Sequence, residues 1–267
     1  RREQRRERQQ REPDDEQRAE QQIHQPEPEH DAGNPPLQRE DDGRRMDRRV
    51  QRQREQSMKL CVLGSGSKGN AVLIQAGTTR VLVDAGFSAR AMSKRLGAIG
   101  VDPRSIEAVI ITHEHEDHAK GAVSCAKKWG WQIYATEGTK GASVGLAEAD
   151  TRSVASNGSI EIGDIEIRTM AVSHDAEEPI AIVATGKPNG VRAGIIYDLG
   201  VVTETVSKAM ERVEILILES NHDGEMLRNG PYPAMLKRRI AGREGHLSNR
   251  EAGPAAAECA HRGMSHI

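Results

Sequence analysis

The chain has 267 residues and a formal net charge of −2, so whole-chain charge singles out no class of partner. No run of 18 apolar residues occurs, and neither Arg1 nor Met58 opens a charged-then-apolar leader, so the reading has no membrane partner. The three cysteines, Cys61, Cys125 and Cys259, are far apart and form no C-x-x-C pair. That usage suits reduced thiols in a cytoplasmic protein better than a disulfide framework.

Residues 1–57 are almost entirely Arg, Gln, Glu, Asp and Pro. Such a segment cannot bury enough apolar surface to offset the entropy of ordering, and we read it as a disordered extension. Apolar periodicity begins at Met58, which reads as a natural start. Residues 58–267 are then long enough for one domain with a substantial core.

"KLCVL" (59–63), "AVLIQ" (71–75) and "RVLVD" (80–84) are strand patterns separated by Gly-rich turns. Between the first two lies "GSGSKGN", whose Gly64, Gly66 and Gly69 satisfy the dinucleotide spacing G-x-G-x-x-G. That fingerprint must open a helix, because the helix N-terminus holds the pyrophosphate. Here a strand comes next, so the loop is expected to be a tight hairpin near a site, with Ser67 and Asn70 available to bond substrate. A helix is expected at about 88–99 with Ser88 as N-cap. Then "AVIIT" (108–112) is a buried strand, and "HEHEDHAKGAVSCAKKWG" passes from loop into a helix ending at Gly130. "QIYAT" (132–136) returns as a strand. Two hairpins follow, one turning at Gly163-Asp164 and one at residues 187–190. A helix near 203–211, the buried strand "EILILES" (214–220) and a largely helical remainder complete the chain. Gly253-Pro254 is awkward within the last helix, 249–263, because an interior proline costs about 3 kcal/mol.

The strongest chemical signal is Thr112-His113-Glu114-His115-Glu116-Asp117-His118, at the end of an apolar strand. Three histidines and an aspartate this dense would suffer desolvation and mutual repulsion if nothing were bound, so the segment reads as a metal site. Imidazole and carboxylate donors suit Zn²⁺, Mn²⁺ or iron rather than Ca²⁺ or Mg²⁺ alone.

The pattern H-x-H-x-D-H resembles the signature of the metallo-β-lactamase fold, and further motifs match that family in order. These are Asp84 in "LVDAG", His174 in "VSHDAEEP" and Asp198 in "YDLG". The resemblance implies an α/β, four-layer αββα sandwich with two divalent metal ions, Zn or Mn, at one edge. It also implies that His113, His115 and His174 hold one ion, Asp117 and His118 the second, and that Asp198 bridges them. Asp84 would orient the metal-binding loop, and Asp117 could accept or orient the nucleophile's proton. Family members finish with a further strand and a metal-ligating histidine, whereas this sequence stops at "HRGMSHI". His246 in "GHLSN" resembles instead a histidine kept beside the scissile phosphate by transfer-RNA-processing members, implying phosphate contact or general-acid work. His222 is a weaker candidate for substrate contact, and His261 and His266 read as surface residues.

Asp198 stands where secreted lactamases carry Cys, and His115 where the diiron oxygen-reductase branch carries Glu. "LGSGSKGN", "VSHDAEEP", "ESNHDGEMLRNGPYP" and "GHLSN" are most similar to one bacterial subfamily, the metallo-hydrolase encoded beside the two-component regulator of cell-wall metabolism. That resemblance implies a phosphodiesterase, with nucleic acid as its substrate and single-stranded ends as the point of attack. Lys237, Arg238, Arg239 and Arg243, with Tyr232 nearby, could contact phosphates or form a solvated helix face. The alternatives are a hydrolase of small cyclic phosphodiesters or thioesters, and a regulatory binding protein with an incomplete metal site.

Overall fold

The apolar runs assemble into two sheets, in a computed structural model that describes residues 57–260, Met264 and His266. The first sheet contains β1 (Lys59–Gly64), β2 (Ala71–Ala76), β3 (Thr79–Val83), β4 (Ala108–Ile110), β5 (Gln132–Ala135) and β6 (Thr151–Ser153), side by side in that order. The second contains β7 (Ser159–Ile162), β8 (Ile165–Ala171), β9 (Ile180–Gly186), β10 (Arg192–Ile196) and β11 (Ile215–Leu218), again side by side in chain order. β1 to β3 and β7 to β10 are antiparallel hairpins, while β3 to β6 and the pair β10–β11 run parallel.

Because side chains alternate across a strand, each sheet has two apolar faces. Val72, Ile74, Val81, Val83 and Ile110 of the first sheet pack against Ile165, Ile167, Ile180, Ile182 and Ile195 of the second. The opposite face of the first sheet, with Leu73, Leu82, Val109 and Ile133, buries Met92 and Leu96 of α1 (Ala89–Ala98) and Ala122 and Cys125 of α3 (Ala122–Trp129). The short helix α2 (Glu116–Ala119) lies between those two in the chain. Ala181, Val183 and Ile196 of the second sheet are covered by Val206 and Met210 of α6 (Glu204–Met210) and by Cys259 of α9 (Asn249–Cys259). The result is the expected αββα layering.

Two helices lie where no apolar period is legible: α4 (Glu137–Ala142) and α5 (Val144–Glu148), leading into the edge strand β6. Beyond β11 come α7 (Gly224–Asn229) and α8 (Ala234–Ile240). The helix α9 runs through Pro254. The residue before a proline normally resists helical angles through its Cβ; here it is Gly253, which has none and has open space beside it.

Ser88 caps α1 through Ala91 N–H, and Gly130, at φ 83°, ends α3 in the left-handed conformation. All three described cysteines are free thiols. Among the described residues no helix is long and apolar enough to cross a membrane. The extension 1–57 lies outside the described residues apart from Ser57, as does His261. His266 is exposed and pairs with Ile215 in a parallel bridge at the outer edge of β11.

Candidate metal centre

Five strands deliver chemistry to one edge of the sandwich. Asp84 follows β3, Thr112 and His113 follow β4, His174 follows β8, Asp198 follows β10 and Glu219 follows β11. Strands that run parallel end on the same side, so residues distant in the chain meet where the sheets stop. Asp84 (φ 62°) and Asp198 (φ 51°) both adopt left-handed backbone angles, which aspartate tolerates better than most residues and which turn the chain sharply at the sheet edge.

The His113, His115 and His174 ring nitrogens form one group, and His113, His118 and Asp198 form another, each with ligand atoms within 4.8 Å of one another. His113 Nε2 lies 3.0 Å from His115 Nδ1, and His174 Nε2 lies 3.3 Å from the same atom. His118 Nε2 is 2.6 Å from Asp198 Oδ2 and 3.5 Å from Asp117 Oδ2.

Outer partners fix which nitrogens face inward. Thr112 Oγ1 has one proton and gives it to the Asp84 carboxylate (2.9 Å), so toward His113 Nδ1 (3.0 Å) it must accept. His174 Nδ1 donates to the Gly245 carbonyl at 3.0 Å, and His118 Nδ1 donates to Asp84 Oδ2 at 2.7 Å. All three imidazoles therefore hold a proton on Nδ1, which aims the Nε2 lone pairs of His113 and His174 at the centre. His115 Nδ1 carries at most one proton, so it cannot satisfy both. A donor set of converging lone pairs beside Asp117 and Asp198 fits divalent cations.

The charge states agree. Burial lowers His113 well below its ordinary value, and the neighbouring His118 charge adds to this. Burial also lowers His174, against Asp198. Neutral imidazole is the ligating form. Burial would lower His118 too, but Asp84 and the hydrogen bonds to Asp117 and Asp198 outweigh it and raise it to about 12. In the metal-free protein His118 is thus the cation between carboxylates. Burial disfavours ionised Asp198, yet bonds from His118 and His246 hold it well below the usual carboxylate range.

Asp84 is fully buried and accepts from Thr112 N–H (2.8 Å), Thr112 Oγ1, His118 and Tyr197 Oη (2.6 Å). Burial first, and then the Asp84 charge, raise Tyr197 well above its ordinary value, so it remains a donor. The loops that carry these groups touch backbone to backbone. Asn70 N–H donates to Asp117 O at 2.7 Å, Ala85 N–H to His118 O at 2.8 Å and Gly121 N–H to Ala85 O at 2.9 Å. A Cβ on Gly86 would fall 1.7 Å from Asp117 O.

Asn70 also brings Nδ2 within 3.2 Å of Asp117 Oδ2 and 2.9 Å of His118 Nε2. Ser67, Asn70, Asp117, Asp198 and His246 line one cleft of about 540 Å³. "GSGSKGN" is a hairpin loop at its rim, with Gly66 and Gly69 at positive φ. His246 Nδ1 lies 2.6 Å from Glu219 Oε1 and 3.3 Å from Asp198 Oδ1. Two carboxylates on one nitrogen keep the proton there; although burial opposes it, Asp198 and Glu219 raise His246 to about 10.

Glu219 was not singled out by sequence reasoning. It is buried, accepts from Leu199 N–H and Leu247 N–H and orients His246. Its signal was available, since it ends the apolar run "EILIL" as His113 and Asp198 end theirs. With Asp198 and His246 it forms a third group of possible ligands.

Other expected substrate contacts stand apart. Lys237 Nζ donates to Arg228 O at 2.7 Å, at the end of α7. Arg239 pairs with Asp175, whose other oxygen is 3.4 Å from His174 Nε2. His222 contributes no atom to the cluster; its Nδ1 is buried and makes no hydrogen bond among the described residues. Arg238, Arg239 and Arg243 line a separate cleft beside Ser173 and Asp175.

Two face-to-face sheets with this edge cluster define a metallohydrolase-type αββα sandwich. The Beta-lactamase superfamily domain profile matches residues 79–266, and the chain belongs to that family. It is 35% identical over 210 residues to "Exodeoxyribonuclease YycJ" of Bacillus anthracis, covering 77% of this chain and 79% of that one. It is 33% identical over 207 residues to "Exodeoxyribonuclease WalJ" of Streptococcus pneumoniae, covering 75% and 76%. The metallo-β-lactamase fold protein YhfI from Bacillus subtilis superposes with a TM-score of 0.58 at 20% identity, over 76% of this chain and 81% of that one, and shows the shared fold.

Proposed function

We propose that this protein is a dinuclear metal-dependent phosphodiester hydrolase, a nuclease acting on single-stranded DNA ends. The observation that carries the chemistry is the pair of ligand groups sharing His113, with Asp198 beside both. The relatives named exodeoxyribonucleases supply the substrate class. His113, His115 and His174 would hold one ion, and His118, Asp117 and Asp198 the other. Two Zn²⁺ or Mn²⁺ ions would supply Lewis acidity and a source of hydroxide at neutral pH.

The protein's own groups do the rest. Asp84 holds His118 and Thr112 in place, and Thr112 holds His113. Asp117 accepts or orients the nucleophile's proton. His246, steadied by Glu219, donates a proton to the leaving oxygen. Ser67 and Asn70 contact substrate from the rim, and Arg239, paired with Asp175, would meet the strand's phosphates beyond it. Lys237, occupied with Arg228 O, serves the strand less directly. The free thiols support a reducing, cytoplasmic setting.

The test uses metal-loaded full-length protein and end-labelled single-stranded DNA. Wild type should shorten the strand, and His113→Ala should lose at least about 100-fold in rate with its circular dichroism unchanged. Cleavage of small diesters with no cleavage of any polynucleotide would sink the nuclease reading.

A further inference from the structure

The segment Glu219–His222, which leaves β11 at the metal edge, is a ridge between two clefts. Glu219, Ser220 and Asn221 line the metal cleft. Ser220 and Asn221, with His222, also line a second cleft of about 460 Å³, together with Met226, Tyr232 and Asn249. Exposed apolar side chains lie along this path. Met226 is 76% exposed and Tyr232 52%, and Val62, also exposed, lies in the metal cleft.

Among the described residues Tyr232 is the only aromatic side chain more than half exposed. It sits between Pro231 and Pro233 in the connection from α7 to α8. The prolines fix their own φ and restrict Tyr232 to extended angles, so the ring is presented at little further entropic cost.

The lining tells what the second cleft takes. It contains Asp223 and no lysine or arginine, which disfavours a phosphate. It offers instead an aromatic face, a thioether and two amides. Ser220 Oγ donates to Asn249 Oδ1 at 2.8 Å, and among the described residues neither the Asn249 NH₂ group nor the Asn221 side chain has a partner. A flat π-face with amides at its edge matches a nucleobase, which stacks on aromatics and hydrogen-bonds along its rim. Arg238, Arg239 and Arg243 line a different cleft, beside Asp175. Backbone and base would therefore part ways at the ridge.

We propose that this cleft is a nucleobase subsite, in which a base of the single-stranded substrate stacks on Tyr232 while the adjoining phosphodiester lies at the metal centre. The proposal rests on the nuclease reading above and adds a specificity-determining residue to it.

The experiment follows metal-loaded full-length protein on short single-stranded oligonucleotides, intact or carrying one abasic position, and on methyl p-nitrophenyl phosphate, which has no base. Tyr232→Ala should raise KM for intact oligonucleotides about 10-fold, as expected for loss of one base–aromatic stack. It should leave methyl p-nitrophenyl phosphate turnover unchanged, and Tyr232→Trp should restore the oligonucleotide KM. One abasic position should raise the wild-type KM by a similar factor and have no effect in Tyr232→Ala. Oligonucleotides cleaved equally well by wild type and Tyr232→Ala would overturn the subsite alone. Turnover of the small diester with no oligonucleotide cleaved would overturn the subsite and the nuclease reading together.

Discussion

Replacing Asp84 by Asn tests whether this buried carboxylate organises the metal centre. Asn is the right probe because it keeps the volume and tolerates the φ of 62°, so no backbone strain is added. Asp84 Oδ1 accepts from Thr112 N–H, and Oδ2 accepts from Thr112 Oγ1, His118 Nδ1 and Tyr197 Oη. An amide can accept on one side only. With its NH₂ on the Oδ1 side, one buried backbone N–H is left facing another donor; on the Oδ2 side, three donors are. The first arrangement is cheaper and still costs about 1–3 kcal/mol, and the His118 bond loses its charge assistance as well. The expected loss is about 2–4 kcal/mol in the metal-free protein, or about 5–15 °C in Tm for a domain of this size. His118 then donates Nδ1–H to a neutral carbonyl oxygen instead of a carboxylate, which makes its Nε2 a weaker ligand, so affinity for the ion it holds should fall about 10–100-fold. Calorimetric titration of Zn²⁺ or Mn²⁺ into wild type and Asp84→Asn measures this directly. A variant that loses Tm but binds both ions as tightly as wild type would refute the organising role.

Two further outcomes are expected. His246 has a folded value of about 10, above its ordinary 6.5, so its contribution to stability is complete below pH 6.5 and lost as pH rises toward 10. In chelator, the urea midpoint of wild type should fall across that window, and Glu219→Gln should flatten the fall; parallel curves would show that Glu219 is not its cause. Gly86→Ala places a Cβ against the Asp117 carbonyl oxygen and the Asn70 nitrogen, both backbone atoms, and should cost about 3 kcal/mol or more. An unchanged Tm for that variant would mean the two loops separate freely.

The local chemistry of the centre was legible because it is contiguous. His113, His115, Asp117 and His118 lie within six positions, and apolar runs marked the strands that carry a ligand. β6 escaped notice because Thr151-Arg152-Ser153 is a short polar edge strand with no alternation to read. Glu219 escaped notice because a lone carboxylate ending a strand looks like any surface acid until His246 is placed beside it. Lys237 and Arg239 looked alike in sequence, yet one bonds the end of a neighbouring helix and the other Asp175.

The sequence by itself determined the donor types, the strands that bear them and the glycines that let the loops approach. Only the tertiary structure decided which nitrogen of each imidazole faces the centre. That choice is made by Thr112, Asp84 and the Gly245 carbonyl, groups that come from different strands and loops. Thr112 is the chain neighbour of His113, but the direction of its bond is set by Asp84, and sheet packing, not chain order, puts Asp84 and the Gly245 carbonyl there.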